Sequence, residues 1–210
     1  FSVFNPDVIK DVQLYKGGIP ARYGGRLSSV LDIYQKEGNN KEFKLTGGVG
    51  LVSSRLLAEG PIKKGKSSFL VGGRASYAHL FLPLLDNENK AYFYDLNSKI
   101  NYRFDKNNNL FFSTYFGKDL FGINESFVNT YGNTVANLRW NHLFSDKLFS
   151  NLSLIYSDYF YGLTLDFVGF EWDSGITNYN IKYDFDYYIK DNYKLSFGVN
   201  DIYTQFNPGK

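Results

Sequence analysis

His79 and His142 are the two side chains of this chain whose ordinary pKa lies near neutrality, so general acid–base chemistry at physiological pH would fall first to them. Neither sits in a catalytic pattern. His142 shares its alternation parity with Trp140 and Phe144 beside a tight turn, a setting that suits an amphipathic ring at an interface. His79 falls at the loop end of its strand, where it could touch a ligand, but no Ser/His or Asp/His motif accompanies it. Asp166, Asp173, Asp184 and Asp186 could gather around a cation, yet the alternation of Asp184 and Asp186 reads as ordinary polarity of one strand face. The chain contains no cysteine, which excludes disulfides and thiolate metal sites. Its formal net charge of +2 gives no reason to expect a nucleic-acid partner. The expectation is a protein that is not an enzyme, with no cofactor and no metal. Phe127, Tyr131, Phe167, Phe170 and Trp172 fall in two long connections and could stack on a ligand.

The elements that must position these residues announce themselves by alternation. From Tyr92 to Phe104, Tyr92, Tyr94, Leu96, Ser98, Ile100, Tyr102 and Phe104 fall on one side, and Phe93, Asp95, Asn97, Lys99, Asn101 and Arg103 on the other. Period 2 is the mark of a strand between two different environments. Tyr179 to Ile189 repeats it. After two short strands at Val12–Tyr15 and Val30–Tyr34, the spacing predicts about nine longer ones. They cover Phe43–Gly50, Ser54–Pro61, Ser67–His79, Ala91–Asp105, Leu110–Leu120, Thr134–Ser145, Leu148–Leu163, Ile176–Lys190 and Tyr193–Gln205. Compact polar turns at 62–66, 106–109, 146–147 and 191–192 alternate with longer connections at Leu80–Lys90, Phe121–Asn133 and Thr164–Gly175. Short turns at one end and long loops at the other are characteristic of transmembrane barrels.

Magnitude orients the strands. A Lys or Arg facing lipid at mid-membrane costs about 2–4 kcal/mol, and Lys99, Arg139 and Lys182 lie well inside their strands. Their face is therefore assigned to a lumen, and the Tyr/Leu/Ile/Phe face to lipid. A soluble sandwich also alternates, but its strands run about 5–6 residues and its core does not take several charges per strand. The longest apolar run, Leu80 to Leu85, contains Pro83 and falls far short of the roughly 20 residues of a spanning helix. Aromatics make up 19% of a chain whose mean hydropathy is −0.32, as interleaved apolar and polar positions require.

Residues 9–36 carry the most specific wording. Val12-Gln13-Leu14-Tyr15, Lys16-Gly17-Gly18-Ile19-Pro20, Ala21-Arg22-Tyr23-Gly24-Gly25-Arg26 and Val30-Leu31-Asp32-Ile33 together resemble the end of the plug domain of TonB-dependent outer-membrane transporters, in particular the Bacteroidota branch. Gly47-Gly48-Val49-Gly50 and Glu59-Gly60-Pro61-Ile62 resemble the first barrel strands of that branch, so the resemblance covers about Asn5 to Tyr77. It implies an all-β chain: the C-terminal part of a plug domain at 1–38, then 39–210 as the first strands of an antiparallel transmembrane barrel of 22 strands. The chain is accordingly expected to be a fragment, beginning inside the plug and stopping before the wall is complete.

The resemblance also implies roles. Lys16, Arg22 and Arg26 would lie in the lumen and need anionic partners. Plug arginines of the family are commonly locked to wall glutamates, and Glu59 is the local candidate, with Lys16 standing where many relatives have Arg. Gly17, Gly18, Gly24 and Gly25 would allow the tight bends. The implied function is TonB-dependent active transport of a nutrient ligand (small molecule, glycan or peptide) across the bacterial outer membrane. Its partners would be outer-membrane lipid, a TonB-type energy-coupling protein reached through a segment N-terminal to Phe1, and a surface-exposed lipoprotein. The alternatives are a structural, adhesion or secretion component built on the same fold and, after it, a small barrel with an enzymatic site.

Overall fold

Alternation is carried into hydrogen bonding almost strand for strand. The computed structural model describes residues 5–25, 28–81, 89–124, 126–190 and 192–209. Within them, β1 (Ile9–Tyr15) and β2 (Val30–Gln35) form an antiparallel two-stranded ribbon. β3 (Lys44–Val49), β4 (Ser53–Lys63), β5 (Ser67–Ser76), β6 (Lys90–Arg103), β7 (Asn108–Ile123), β8 (Phe127–Ser145), β9 (Leu148–Leu165), β10 (Phe170–Lys190) and β11 (Tyr193–Asn207) follow. These nine make one antiparallel sheet in which every strand pairs with its neighbours in sequence. The sheet is open, with β3 and β11 as its edges. Among the described residues no helix is long and apolar enough to cross a membrane.

Tight turns hold the register at one end. Gly65 takes φ +74° between β4 and β5, where a side chain would be strained. Between β6 and β7 the Asp105 carboxylate accepts the backbone N–H groups of Asn107 and Asn108 at 2.7 and 2.9 Å. These bonds hold its carboxyl below the usual carboxylate range, the backbone N–H of Asn107 contributing most.

The other end departs from the sequence expectation. The segments expected as long loops, Phe121–Asn133 and Thr164–Gly175, are largely strand: Ile123 pairs with Phe127 and Leu165 with Phe170. The reversals are a turn in which Asn124 takes φ +46° and a short 3-10 turn, Asp166–Val168, ended by Gly169 in the left-handed region. Cross-strand pairing gives partners to backbone groups that a loop would have left to water, so the strands lengthen instead. Of the connection Leu80–Lys90, residues 82–88 lie outside the described residues.

The ribbon lies across one face of the sheet, and the buried core forms beneath it. Val8, Leu57 and Leu70 are 2%, 3% and 0% exposed and pack together, with Ile9 against them. Burial of each such side chain is worth about 1.5–3 kcal/mol. Gly72 makes the approach feasible: a Cβ there would meet Val8 Cγ1 at 2.6 Å.

Candidate functional site

Parity decides which side chains face the ribbon. On β6 these are Phe93, Asp95, Asn97, Lys99 and Asn101; the register carries the same face to Phe111, Ser113 and Tyr115 on β7, Asn137 and Arg139 on β8, Ser153 on β9, and Lys182 and Asp184 on β10. The charged and amide-rich face is thus the covered one. Asp95, Asn97 and Lys99 are 5%, 3% and 7% exposed. Buried polar groups must find partners, and many do. The Arg74 Nε–H donates to the Asp95 carboxylate, and Asn97 Nδ2 donates to Asp95 Oδ1 at 3.2 Å.

Polar contacts fasten the ribbon and its flanks to this face over a wide span. Asp7 pairs with Arg55 of β4 at 3.3 Å. Gln35 Nε2 donates to Asn97 Oδ1 at 3.3 Å, and Lys99 Nζ to the Gln35 carbonyl at 3.2 Å. Ser68 Oγ donates to the Glu37 carbonyl at 2.8 Å, and Asn101 Nδ2 reaches Glu37 Oε2 at 3.5 Å. At the far end Lys182 Nζ of β10 donates to the Arg22 carbonyl at 3.3 Å and lies 5.2 Å from the centre of the Tyr23 ring.

The residues singled out in sequence are brought together only in part. Lys16 is exposed at the end of β1, followed by Gly17 and by Gly18 at φ +59°. Arg22 and Tyr23 lie in a 3-10 turn, Ala21–Tyr23, which Gly24 and Gly25 (φ +74°) lead back toward β2. The Tyr23 hydroxyl donates to Asp32, folding the Gly-rich segment onto its own ribbon. Burial, then the Asp32 carboxylate, push that phenol above its usual range. Arg26 lies outside the described residues. Glu59 sits on the ribbon face of β4, paired in register with Lys44 and Leu70, and makes no ion pair among the described residues. The ion pair that ties the N-terminal segment to β4 has the opposite polarity, acid on the segment and Arg55 on the strand.

Asp7, Gln35 and Arg55 were not singled out in sequence. For Asp7 a signal was present: Asn5-Pro6-Asp7 is a turn signature, and the Asn5 side chain accepts the Asp7 N–H at 3.0 Å. Gln35 carried none, because its role depends on a partner 62 positions away.

The candidate acids and histidines do not converge. Asp184 pairs with Lys182 at 3.4 Å and Asp186 with Lys194 at 3.6 Å, and among the described residues no three His, Asp or Glu side chains gather to hold a metal. The His79 ring stands 5.5 Å from that of Tyr92. His142 Nδ1 and Trp140 Nε1 share Asn108 Oδ1 at 2.7 and 3.1 Å. Phe127, Tyr131, Phe170 and Trp172 lie on strands, and Phe167 in a turn.

The opposite face is apolar and uncovered. Leu96, Ile100, Phe112, Leu138, Leu154 and Ile181 are all exposed. Rings border them at both ends: Tyr102, Phe104, Trp140, Phe144, Phe185 and Phe197 toward the tight turns, Tyr94, Phe116, Tyr156, Tyr179 and Tyr203 toward the other end. Beyond the second border polar groups return on this face: Lys118, its Nζ 5.6 Å from the centre of the Phe160 ring, and Asp158, which accepts the Thr177 hydroxyl at 2.7 Å. Compared with protein-family models, curated proteins and solved structures, the chain matches none of them.

Proposed function

We propose that this chain is part of a TonB-dependent transporter of the bacterial outer membrane, with the sheet as the first part of its barrel wall and the ribbon as the end of its plug. The observation that carries the reading is the pairing of two faces: an apolar one bordered by two rows of rings, and a polar one covered by the ribbon. Tyr94 and Tyr102 border the band on β6, eight positions apart. That is about 27 Å along a strand, and about 20 Å normal to the membrane at a tilt near 40°. The band accords with the roughly 25 Å apolar belt of outer-membrane barrels and their aromatic girdles. Strands of 14–21 residues from β6 to β11 exceed the 9–11 or so needed to span, so their ends would rise above the lipid and carry Tyr131 and Trp172 to ligands outside.

Unpaired edges cannot face hydrocarbon. In this reading further strands pair with β3 and β11 and close the wall. A pull on the ribbon from the periplasmic side would break the scattered polar contacts to β4, β5, β6 and β10 and open a path. The resemblance of Lys16 to Gly25 and of Glu59 to Ile62 to the family adds the TonB coupling, the nutrient ligand and a surface lipoprotein as partner. The test is growth of a deletion strain on candidate nutrients, complemented with the full gene, with and without the energy-coupling system. Uptake that requires both supports transport. Unchanged uptake of every nutrient, with the protein still in the outer membrane, favours a structural or adhesion component instead.

A further inference from the structure

Most cations on the ribbon face have a nearby carboxylate: Arg55 has Asp7, Arg74 has Asp95, and Lys182 has Asp184. Lys99 and Arg139 differ. Among the described residues neither has a carboxylate within ion-pair distance. Yet Lys99 is 7% exposed, and Arg139 Nε is buried with no hydrogen-bond partner. Both charges lie over the same ring, Lys99 Nζ at 5.5 Å and Arg139 Cζ at 4.3 Å from the centre of Phe111. Lys99 is in register with Ser113 and Ser113 with Asn137, and Arg139 is two residues from Asn137 on the same face. Two like charges are thus brought together with two small polar side chains between them. All of them line a cleft of about 500 Å³ between the ribbon and the sheet.

We propose that Lys99 and Arg139 form an anion site in this cleft, taking a small oxyanion: a phosphate or a carboxylate group. A buried cation with no carboxylate at ion-pair distance is expensive, and a second, half-buried cation beside the same ring makes it more so. An oxyanion between them offsets both, accepting charge-assisted hydrogen bonds from the ammonium and from the orphaned Arg139 Nε–H. Asn137 Oδ1 is also buried without a partner. A carboxamide can reverse its oxygen and nitrogen in place, which would turn Nδ2 toward the anion as a further donor, and Ser113 supplies a hydroxyl. Lys10 borders the same cleft and adds positive charge. Two acids also border it: Asp32 accepts the Tyr23 hydroxyl, and the exposed Glu37, 3.5 Å from Asn101 Nδ2, attracts both cations from the rim of the cleft without coming within ion-pair distance of either. The site rests on the ribbon-and-sheet geometry and does not require that the protein transport anything.

The test uses the protein in detergent micelles, with chloride replaced by inorganic phosphate or by succinate at constant ionic strength. The readouts are the thermal midpoint and, for phosphate, exchange broadening of its phosphorus-31 resonance. The wild type should be stabilised by phosphate, succinate or both; a response to one alone assigns the oxyanion class. Arg139→Gln should weaken the apparent affinity about tenfold or more, the loss of a charged hydrogen bond. Asn137→Asp keeps the side-chain volume and sets a carboxylate between the cations. It should raise the midpoint in chloride and abolish the response to either anion. A wild type that responds no more to phosphate and succinate than to chloride overturns the site, as does an undiminished anion response in Asn137→Asp. The second criterion stands even where Arg139→Gln fails to fold.

Discussion

Replacing Ile100 with Arg separates a lipid-facing sheet from a water-facing one, because the two settings price the same change differently. Ile100 is 44% exposed on the uncovered face of β6. In water, a substitution at such a surface position stays within about 0.5 kcal/mol. In lipid, depth decides. The midpoint of the Tyr94–Tyr102 band is Ser98, and Ile100 lies two residues from it, about 7 Å along the strand and about 5 Å from the midplane at a tilt near 40°. The cost of Arg falls from about 2–4 kcal/mol at the midplane to 0–1 at the interface, so Ile100→Arg should cost about 2 kcal/mol, roughly a thirtyfold change in the folding equilibrium. Asn101→Arg is the control. Its side chain faces the ribbon, with Nδ2 3.5 Å from Glu37 Oε2, so a guanidinium there gains a carboxylate. Urea titration of both variants in lipid vesicles, followed by tryptophan fluorescence, measures the difference. A loss of no more than about 0.5 kcal/mol for Ile100→Arg, or equal losses for the two variants, would refute the assignment of the faces.

Three further outcomes follow from the covered face and its turns. Gly72→Val sets side-chain carbons against Val8 Cγ1 and Leu57 Cδ1, which would meet even a Cβ at 2.6 and 3.1 Å. Overpacking there should cost about 1–3 kcal/mol and loosen the ribbon, read as faster proteolysis N-terminal to β3 with the sheet intact; an unchanged digestion pattern contradicts the packing. Asp95→Ala removes the carboxylate to which the Arg74 Nε–H donates, in a place where the two side chains are 12% and 3% exposed. Removing one member of such a pair costs about 3–5 kcal/mol, and the double variant Arg74→Leu with Asp95→Leu should recover much of it in denaturant melts. The Asp105 carboxyl is held below its unfolded value, so its contribution is present above the unfolded carboxylate pKa and lost as the pH falls through the folded one. Asp105→Ala should flatten that acid limb, measured as stability against pH; an identical limb in the variant argues against the turn.

Much of the architecture was legible from residue types alone. The β6 alternation from Tyr92 to Arg103 required two environments, and the structure gives it two: a ribbon over Asp95, Asn97 and Lys99, and an uncovered face at Leu96 and Ile100. All nine sheet strands were expected, in order. The ends of β7 through β10 were missed because Phe121–Asn133 and Thr164–Gly175 are rich in polar and small residues that read locally as loop. What makes them strand is pairing with one another, as Gly122 with Val128 and Thr164 with Glu171, which no single segment displays.

The site divides in the same way. Alternation placed Lys99, Arg139 and Lys182 on one face, since period 2 and the cost of misplacing a charge are properties of each strand. Which of them would be paired was decided by the fold. Lys182 meets Asp184, already its neighbour on the strand, and the Arg22 carbonyl, which the ribbon carries to it; Lys99 and Arg139 meet one ring, Phe111, and an open cleft. Sequence determined the faces because a strand's parity is local. Tertiary structure alone decided the partners, because a contact such as Lys99 with Gln35 exists only once the chain has crossed its own sheet.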